Sequence, residues 1–165
     1  MRWGGFAIAL LVACVLQKAV VALLPLRAFD AFLILALLSG TQMRKHDARI
    51  AGWLTGFVQD LSSADALGIH AFTLGMTALM MTRLREIGNM NVWWMRALVA
   101  FVAAWPPQLL YLVHLNYWSG PGPQSFLGLL WASMLTSLLA ALIVTFINAL
   151  PWLLRSRRRR FRSSF

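Results

Sequence analysis

Residues 48–75 read ARIAGWLTGFVQDLSSADALGIHAFTLG, and no other stretch of the chain says as much about its architecture. Gly52, Gly56 and Asp60 are spaced four residues apart, which places them on one face of a helix. Two glycines in that register allow a neighbouring helix to approach to backbone distance, and together with Asp60 and Gly68 they form the predicted helix-packing motif. Since hydrocarbon does not accept a carboxylate, Asp60 must be capped, paired or hydrated. The stretch therefore predicts a closely packed hairpin inside a membrane.

The composition of the chain is typical of an integral membrane protein. Of its 165 residues 60% are apolar and only 12% are charged, whereas an average soluble domain is roughly 25% charged. A membrane-spanning helix needs about 20 residues, so apolar segments account for nearly the whole length. We therefore expect an all-α, polytopic fold: a six-helix transmembrane bundle with a short third helix and no separate soluble domain.

The limits of the six predicted spans follow the apolar segments and the residues that favour turns, such as Pro25 and the Gly/Pro-rich stretch at residues 120–123. Asp65 is placed to cap the fourth helix. The predicted spans are residues 3–24, 28–43, 48–61, 66–82, 92–113 and 125–154. They define a six-helix transmembrane domain at residues 1–154, followed by a basic cytoplasmic tail at residues 155–165.

The last predicted helix carries small residues at a spacing of four, which favours close helix packing. One row is Gly128, Ala132, Thr136 and Ala140, and the row beside it is Ser133, Ser137, Ala141 and Thr145. Packing inside the bundle is one use of these rows. Contact with a transmembrane helix of a partner is the other.

The cationic residues predict how the bundle is oriented. Apart from the tail, lysines and arginines fall in the connections on the side of the two termini, whereas the opposite connections carry only Arg27. By the positive-inside rule both termini are cytoplasmic. Six of the ten net positive charges lie in the tail, which we expect to bind anionic lipids; a specific protein or nucleic-acid contact is the alternative. These membrane-surface arginines are Arg155, Arg157, Arg158, Arg159, Arg160 and Arg162.

Four ionisable residues should gather near the outer ends of the helices, and we call them the outer polar cluster: Lys18, Asp30, Asp60 and His70. Charges at that depth are costly unless paired or hydrated, so Lys18 with Asp30 or Asp60 is the expected ion pair. Because Asp60 ends a helix, it opposes the helix dipole, and the amides of Ser62 and Ser63 are expected to compensate it. The cluster is therefore either a set of capping and interfacial groups or the lining of a cavity or partner site.

Signatures of enzymes and cofactor sites are missing from the sequence. His46, His70 and His114 are too dispersed to suggest a metal site with the single Cys14. No Walker A, GxGxxG or GxSxG sequence occurs. We therefore predict a protein that is not an enzyme and that binds no cofactor or metal, with a membrane enzyme that uses Asp60 and His70 as the alternative.

Three parts of the sequence resemble motifs of one protein family. Asp30 precedes an apolar helix, residues 52–60 read GWLTGFVQD, and residues 67–72 read LGIHAF. This arrangement is similar to the MreD family of bacterial rod shape-determining membrane proteins. Members typically carry an acidic residue opening the second helix, a Gly-x-x-x-Gly-[Leu/Phe]-x-x-Asp stretch, and Leu-Gly-x-x-Ala-[Leu/Phe] soon after. The length of the chain and the predicted number of spans also agree with that family.

The resemblance implies a non-catalytic scaffold of the cell-elongation complex (elongasome), which maintains rod shape during peptidoglycan synthesis at the bacterial inner membrane. It implies that the chain binds MreC and, through it, MreB, RodA and the transpeptidase partner of RodA. It also implies a six-helix fold similar to the substrate-binding subunits of energy-coupling-factor transporters. Such a subunit, binding a vitamin or a metal, is the alternative function, because the outer polar cluster lies where its pocket would open.

Overall fold

A computed structural model of the protein describes residues 3–23, 29–63, 67–88, 90, 92–118 and 126–162, with side chains except at residues 20–23, 115, 118, 126 and 150–162. Within these ranges the secondary structure is entirely helical, without a strand, so the all-α prediction is confirmed. The helices are α1 (Trp3–Leu23), α2 (Ala31–Gln42), α3 (Lys45–Ser62), α4 (Ile69–Ile87), α5 (Trp93–Trp118) and α6 (Phe126–Arg162).

The expectation of a short third helix is wrong. Helix α3 has 18 residues, and α2, with 12, is the shortest helix in the described ranges. The prediction counted the apolar residues of α3, whereas its first turn is polar and begins at Lys45. Asp47 in that turn faces the positive end of the helix dipole, which favours helix formation there. The helix is thus longer than its apolar part.

Helix α6 is also longer than predicted. Its 37 residues continue through the arginine run to Arg162. The domain limit predicted at residue 154 is therefore not a helix boundary. Arginine has a high helix propensity, so the change from apolar to basic residues does not by itself end a helix.

Among the residues that the structure describes, two helices are long and apolar enough to cross a membrane, over Trp93–His114 in α5 and Leu127–Ala149 in α6. Shorter apolar helices occupy Trp3–Ala19 and Ala31–Gln42. In α6 many large residues point outward, as at Leu127, Trp131 and Phe146, while the small residues Ser133 and Ser137 are fully buried. This distribution is the reverse of that in a soluble helix and is typical of helices that pack in lipid.

The small residues of α6 are used inside the bundle. Ser133 accepts a hydrogen bond from Trp105 Nε1 on α5 at 3.1 Å, and Ala140 and Ala141 are part of the buried core. Helices α5 and α6 form one of the two most extensive helix pairs, and α3 with α4 forms the other. Internal packing therefore accounts for the buried members of the two rows, whereas Gly128 and Ala132 at the start of the first row are exposed.

Helix α2 lies at the centre of the bundle and contacts all five other helices. Its side chains at Phe32, Leu33 and Leu37 are almost completely buried. A helix that is apolar on every side is stable when protein surrounds it. Because its neighbours cover it, α2 can be short and still be buried on every side.

The C-terminus of α2 shows where the cationic residues meet. The guanidinium group of Arg85 on α4 donates to the carbonyl oxygens of Gly40, Thr41 and Met43 at 2.8–2.9 Å. These carbonyls belong to the last turn of α2, where helix geometry leaves them without a partner. Lys45 at the start of α3 forms a salt bridge with Glu86 near the end of α4. We call this end of the bundle the basic end.

Candidate functional site

Asp60 closes the hairpin between α3 and α4 at the opposite end of the bundle. Its side chain is 2% exposed, and its two oxygens accept three backbone N–H groups at 3.0 Å each. Gly68 and Ala71 donate to Oδ2, and His70 donates to Oδ1. These amides open α4 and have no partner within that helix. Asp60 therefore caps α4 from α3 and places its negative charge at the positive end of the α4 dipole.

The predicted compensation of Asp60 by Ser62 and Ser63 is wrong. Their hydroxyl groups donate to the carbonyl oxygens of Gln59 and Asp60 instead, and the amide of Ser63 donates to Gln59. Asp65, which we expected to cap α4, lies outside the described residues. A cap is usually sought just before the helix it serves, whereas Asp60 precedes the three amides it binds by 8, 10 and 11 residues.

Gly68 has a conformational role, so its assignment to the helix-packing motif is wrong. Its φ is +100°, in the left-handed region that glycine adopts without a steric cost. A Cβ atom added there would meet nothing within 4 Å. Gly68 sits at the N-cap of α4, and its own amide is one of the three that Asp60 binds.

Gly52 and Gly56 lie where the backbones of α3 and α4 approach each other. A Cβ atom added to Gly52 would lie 2.5 Å from Ala78 Cβ and 3.0 Å from the carbonyl oxygen of Leu74. A Cβ atom added to Gly56 would overlap the carbonyl group of His70 and Cα of Ala71. The glycine face of α3 therefore rests on the backbone of α4, and Asp60 stands at the end of the same face.

Asp30 caps the start of α2 in a similar way. Its Oδ1 atom accepts the amides of Phe32 and Leu33 at 3.0 Å each. Gln17 on α1 adds a third bond there, because its Oε1 atom accepts the amide of Ala31 at 2.8 Å. Sequence reasoning missed Gln17, although a glutamine inside an apolar helix was a signal that could have found it.

The expected ion pair between Lys18 and Asp30 or Asp60 is wrong. No such pair forms in the part of the chain that the structure describes; Lys18 is exposed, and its Nζ atom lies 3.3 Å from the carbonyl oxygen of Ser62, to which it donates. That carbonyl closes α3, and a cation is favourable at the negative end of a helix dipole. Asp60 needs no cation, because the amides of α4 already compensate its charge.

His70 completes the cluster. Its side chain is 5% exposed, and its ring packs edge-on against Tyr111 of α5, with centroids 4.5 Å apart. The Asp30 carboxylate is attracted by the charge of His70 and forms a hydrogen bond with the side chain of Gln59. Asp30, Asp60 and His70 are thus brought together, and Lys18 binds at their edge. Gln59 and Tyr111 were not predicted as members.

The geometry defines what this cluster can do chemically. The bond between His70 and Asp60 comes from the backbone amide of His70, so it does not couple the imidazole to the carboxylate as an acid–base pair would require. Within the described ranges, no group of three or more His, Cys, Asp or Glu side chains could hold a metal. The polar groups of the cluster form hydrogen bonds that join the ends of neighbouring helices.

An open apolar groove lies beside the cluster, between the start of α4 and the end of α5. Its volume is about 480 Å³. Phe72 and Thr73 line one side, and Leu110, Val113 and Tyr117 line the other. This surface suits an apolar group better than a charged one.

Comparison of the chain with models of known protein families, with curated proteins and with solved structures gives no match.

Proposed function

We propose that the protein is a non-catalytic scaffold of the bacterial cell-elongation complex. It spans the inner membrane six times, with both termini in the cytoplasm. It binds MreC and through it links MreB filaments to RodA and the transpeptidase partner of RodA. The resemblance of residues 52–60 and 67–72 to the MreD family suggests this role, and the capping of α4 by Asp60 supports a structural over a catalytic use of that residue.

The Asp60 carboxylate favours a structural role over a catalytic one. A general acid or base must reach the proton that it transfers, but both oxygens of Asp60 are engaged by amides of α4 and the side chain is buried. The same contacts hold α3 and α4 in one fixed arrangement. A scaffold depends on such rigidity, because its partners recognise the relative positions of its helices.

The outer surface of α3 supports membrane embedding. Opposite the glycine face, large apolar side chains are exposed along the helix at Ile50, Trp53, Leu54, Phe57 and Leu61. The apolar part of this helix, residues 48–61, is about 21 Å long, so it would cross the roughly 30 Å hydrocarbon layer only where the bilayer is thinned around it or protein covers its ends. Lipid or a transmembrane helix of MreC would cover this surface.

The basic end supports the proposed orientation. This end contains the salt bridge of Lys45 with Glu86, the contacts of Arg85 with the end of α2, and the connection from α4 to α5. Cationic residues are retained on the cytoplasmic side during insertion. Asp30, Asp60 and His70 then face the opposite side of the membrane.

The groove beside the cluster is the observation that favours the second candidate. A substrate-binding subunit of an energy-coupling-factor transporter would hold a small vitamin or metal near the outer surface. The groove of about 480 Å³ is within the size range of small-molecule sites. Its apolar lining favours a vitamin over a metal ion.

Depletion of the protein in its own host separates the two functions. If it is a scaffold, rod-shaped cells should become spherical while vitamin and metal uptake stay unchanged. Expression of the wild-type chain from a plasmid should restore the rods. Cells that keep their shape and lose uptake of one vitamin or metal would support the transporter subunit and contradict the scaffold.

A further inference from the structure

A second cavity lies at the basic end, far along the helices from the outer polar cluster. Its volume is about 210 Å³. The lining residues come from helices α2, α4, α5 and α6 and from the α4–α5 connection: Thr41, Arg85, Met90, Arg96 and Asn148. Two guanidinium groups, a hydroxyl group and an amide thus face one space, and none of these described lining residues carries a carboxylate.

The polar side chains of this pocket are held in position. Arg85 is fixed by the three carbonyl oxygens at the end of α2. Asn148 donates to Thr41 Oγ1 at 3.4 Å and accepts from Gln42 Nε2 at 3.0 Å. A guanidinium group whose orientation is already fixed loses less entropy when it binds an anion, and its planar N–H groups match phosphate oxygens.

Glu86 is the carboxylate next to Arg85 in sequence, and it is engaged elsewhere. Its salt bridge with Lys45 ties it to the start of α3. The hydrogen bond from Lys45 holds the pKa of Glu86 below its ordinary value, so Glu86 stays ionised and paired at neutral pH. Glu86 also acts on Arg85 through its charge, but it does not line the pocket, where Arg85 and Arg96 supply the positive charge.

We propose that this pocket binds the phosphate group of an anionic ligand, which is either the headgroup of an anionic phospholipid or free inorganic phosphate. Basic pockets between transmembrane helices on the cytoplasmic side are known to accept anionic headgroups. The proposal rests on the pocket alone and does not depend on the scaffold function. A bound phosphate would connect α2, α4, α5 and α6 at one point.

The test uses the full-length protein purified in detergent. Native mass spectrometry measures retention of phosphatidylglycerol against phosphatidylcholine, and calorimetry measures binding of inorganic phosphate. We expect the wild type to prefer one anionic probe, and Arg96→Gln to weaken that binding about tenfold or more, as removal of a charge-assisted bond does. Arg83→Gln is the matched control, because Arg83 is exposed on α4 and does not line the pocket; it should change binding less than about twofold.

The outcomes separate the two sources of phosphate. Phosphatidylglycerol binding that Arg96→Gln abolishes and inorganic phosphate does not displace identifies a lipid headgroup. Phosphate binding that Arg96→Gln abolishes, without a lipid preference, identifies the free ion. Equal binding by wild type and Arg96→Gln, or equal losses in Arg96→Gln and Arg83→Gln, would overturn the proposal.

Thermal unfolding without ligand checks that Arg96→Gln remains folded. If it does not, Asn148→Ala takes its place, since Asn148 lines the pocket without carrying charge. We expect Asn148→Ala to weaken binding several-fold. Unchanged binding by a folded Asn148→Ala would then count against the pocket.

Discussion

Asp30 and Asp60 both cap helices, but they use their carboxylate oxygens differently. One oxygen of Asp30, Oδ1, accepts hydrogen bonds from two amides of the helix that follows it. Asp60 uses both oxygens on amides of α4. Asparagine keeps one carbonyl oxygen and replaces the other with an NH₂ donor. The same substitution therefore has different consequences at the two positions.

We expect Asp30→Asn to lower the free energy of unfolding by no more than about 1 kcal/mol, because Asn and Asp are nearly equal as N-caps and only the interactions of the carboxylate with Gln59 and His70 change. Asp60→Asn should lower it by about 2–4 kcal/mol, since an NH₂ group would face a backbone N–H and charge-assisted bonds would be lost. Denaturant unfolding of the purified protein in detergent measures both. Equal losses at the two positions would contradict the capping geometry.

At the residue scale, the sequence predicted which charged side chains need a hydrogen-bond or ionic partner. It did not predict which groups those partners are. A carboxylate at the end of an apolar helix must be satisfied, and Asp60 is. Its partners are backbone amides of α4, and a backbone amide leaves no signature in a residue pattern. The same limit explains Lys18: charge suggests a carboxylate partner, whereas the carbonyl oxygen of Ser62 is the acceptor.

The contact between α3 and α4 is the principal feature at the scale of elements. Spacing alone predicted that the Gly52 and Gly56 face admits a neighbouring helix, and the structure identifies that helix as α4. Spacing did not reveal that Gly68 serves a left-handed turn. Nor did it give the full length of α3, because hydropathy marks the apolar part of a helix and not its ends.

Gly56→Ala tests this contact, with Gly4→Ala as the matched control. A methyl group at Gly56 would overlap the backbone of α4, whereas at Gly4 on α1 it would meet nothing within 4 Å. We expect Gly56→Ala to lower the free energy of unfolding by about 1–3 kcal/mol or more, as overpacking does. Gly4→Ala should leave it unchanged or raise it by up to about 1 kcal/mol, through helix propensity.

The unfolding midpoints of the two alanine variants, purified in the same detergent, give the comparison. A Gly56→Ala protein as stable as Gly4→Ala would mean that α3 and α4 do not approach as closely as the structure shows.

At the scale of the whole molecule, the sequence predicted the separation of charge between two ends more successfully than the arrangement of helices. Loop composition placed the cations together, and Lys45 and Arg85 do bind at one end of the bundle. The central position of α2 could not be predicted, because an apolar helix has the same pattern whether it faces lipid or protein. The pocket at the basic end was also missed, since it combines residues from four helices.

Labelling of single cysteines tests the proposed orientation. In a Cys14→Ser background, Ser62→Cys and Arg83→Cys place exposed thiols near opposite ends of the bundle. A membrane-impermeant maleimide added to spheroplasts should modify Ser62→Cys, and should modify Arg83→Cys after the membrane is opened. The reverse pattern, or labelling of both thiols in closed spheroplasts, would contradict cytoplasmic termini.

We have proposed that the protein is a scaffold held rigid by the Asp60 contacts. The most direct test is mass spectrometry of the tagged wild-type protein purified from membranes of its host, recording both proteins and small molecules. We expect MreC at near-equal amount and no retained vitamin or metal. A retained vitamin or metal together with a transporter energising module, and no MreC, would contradict it.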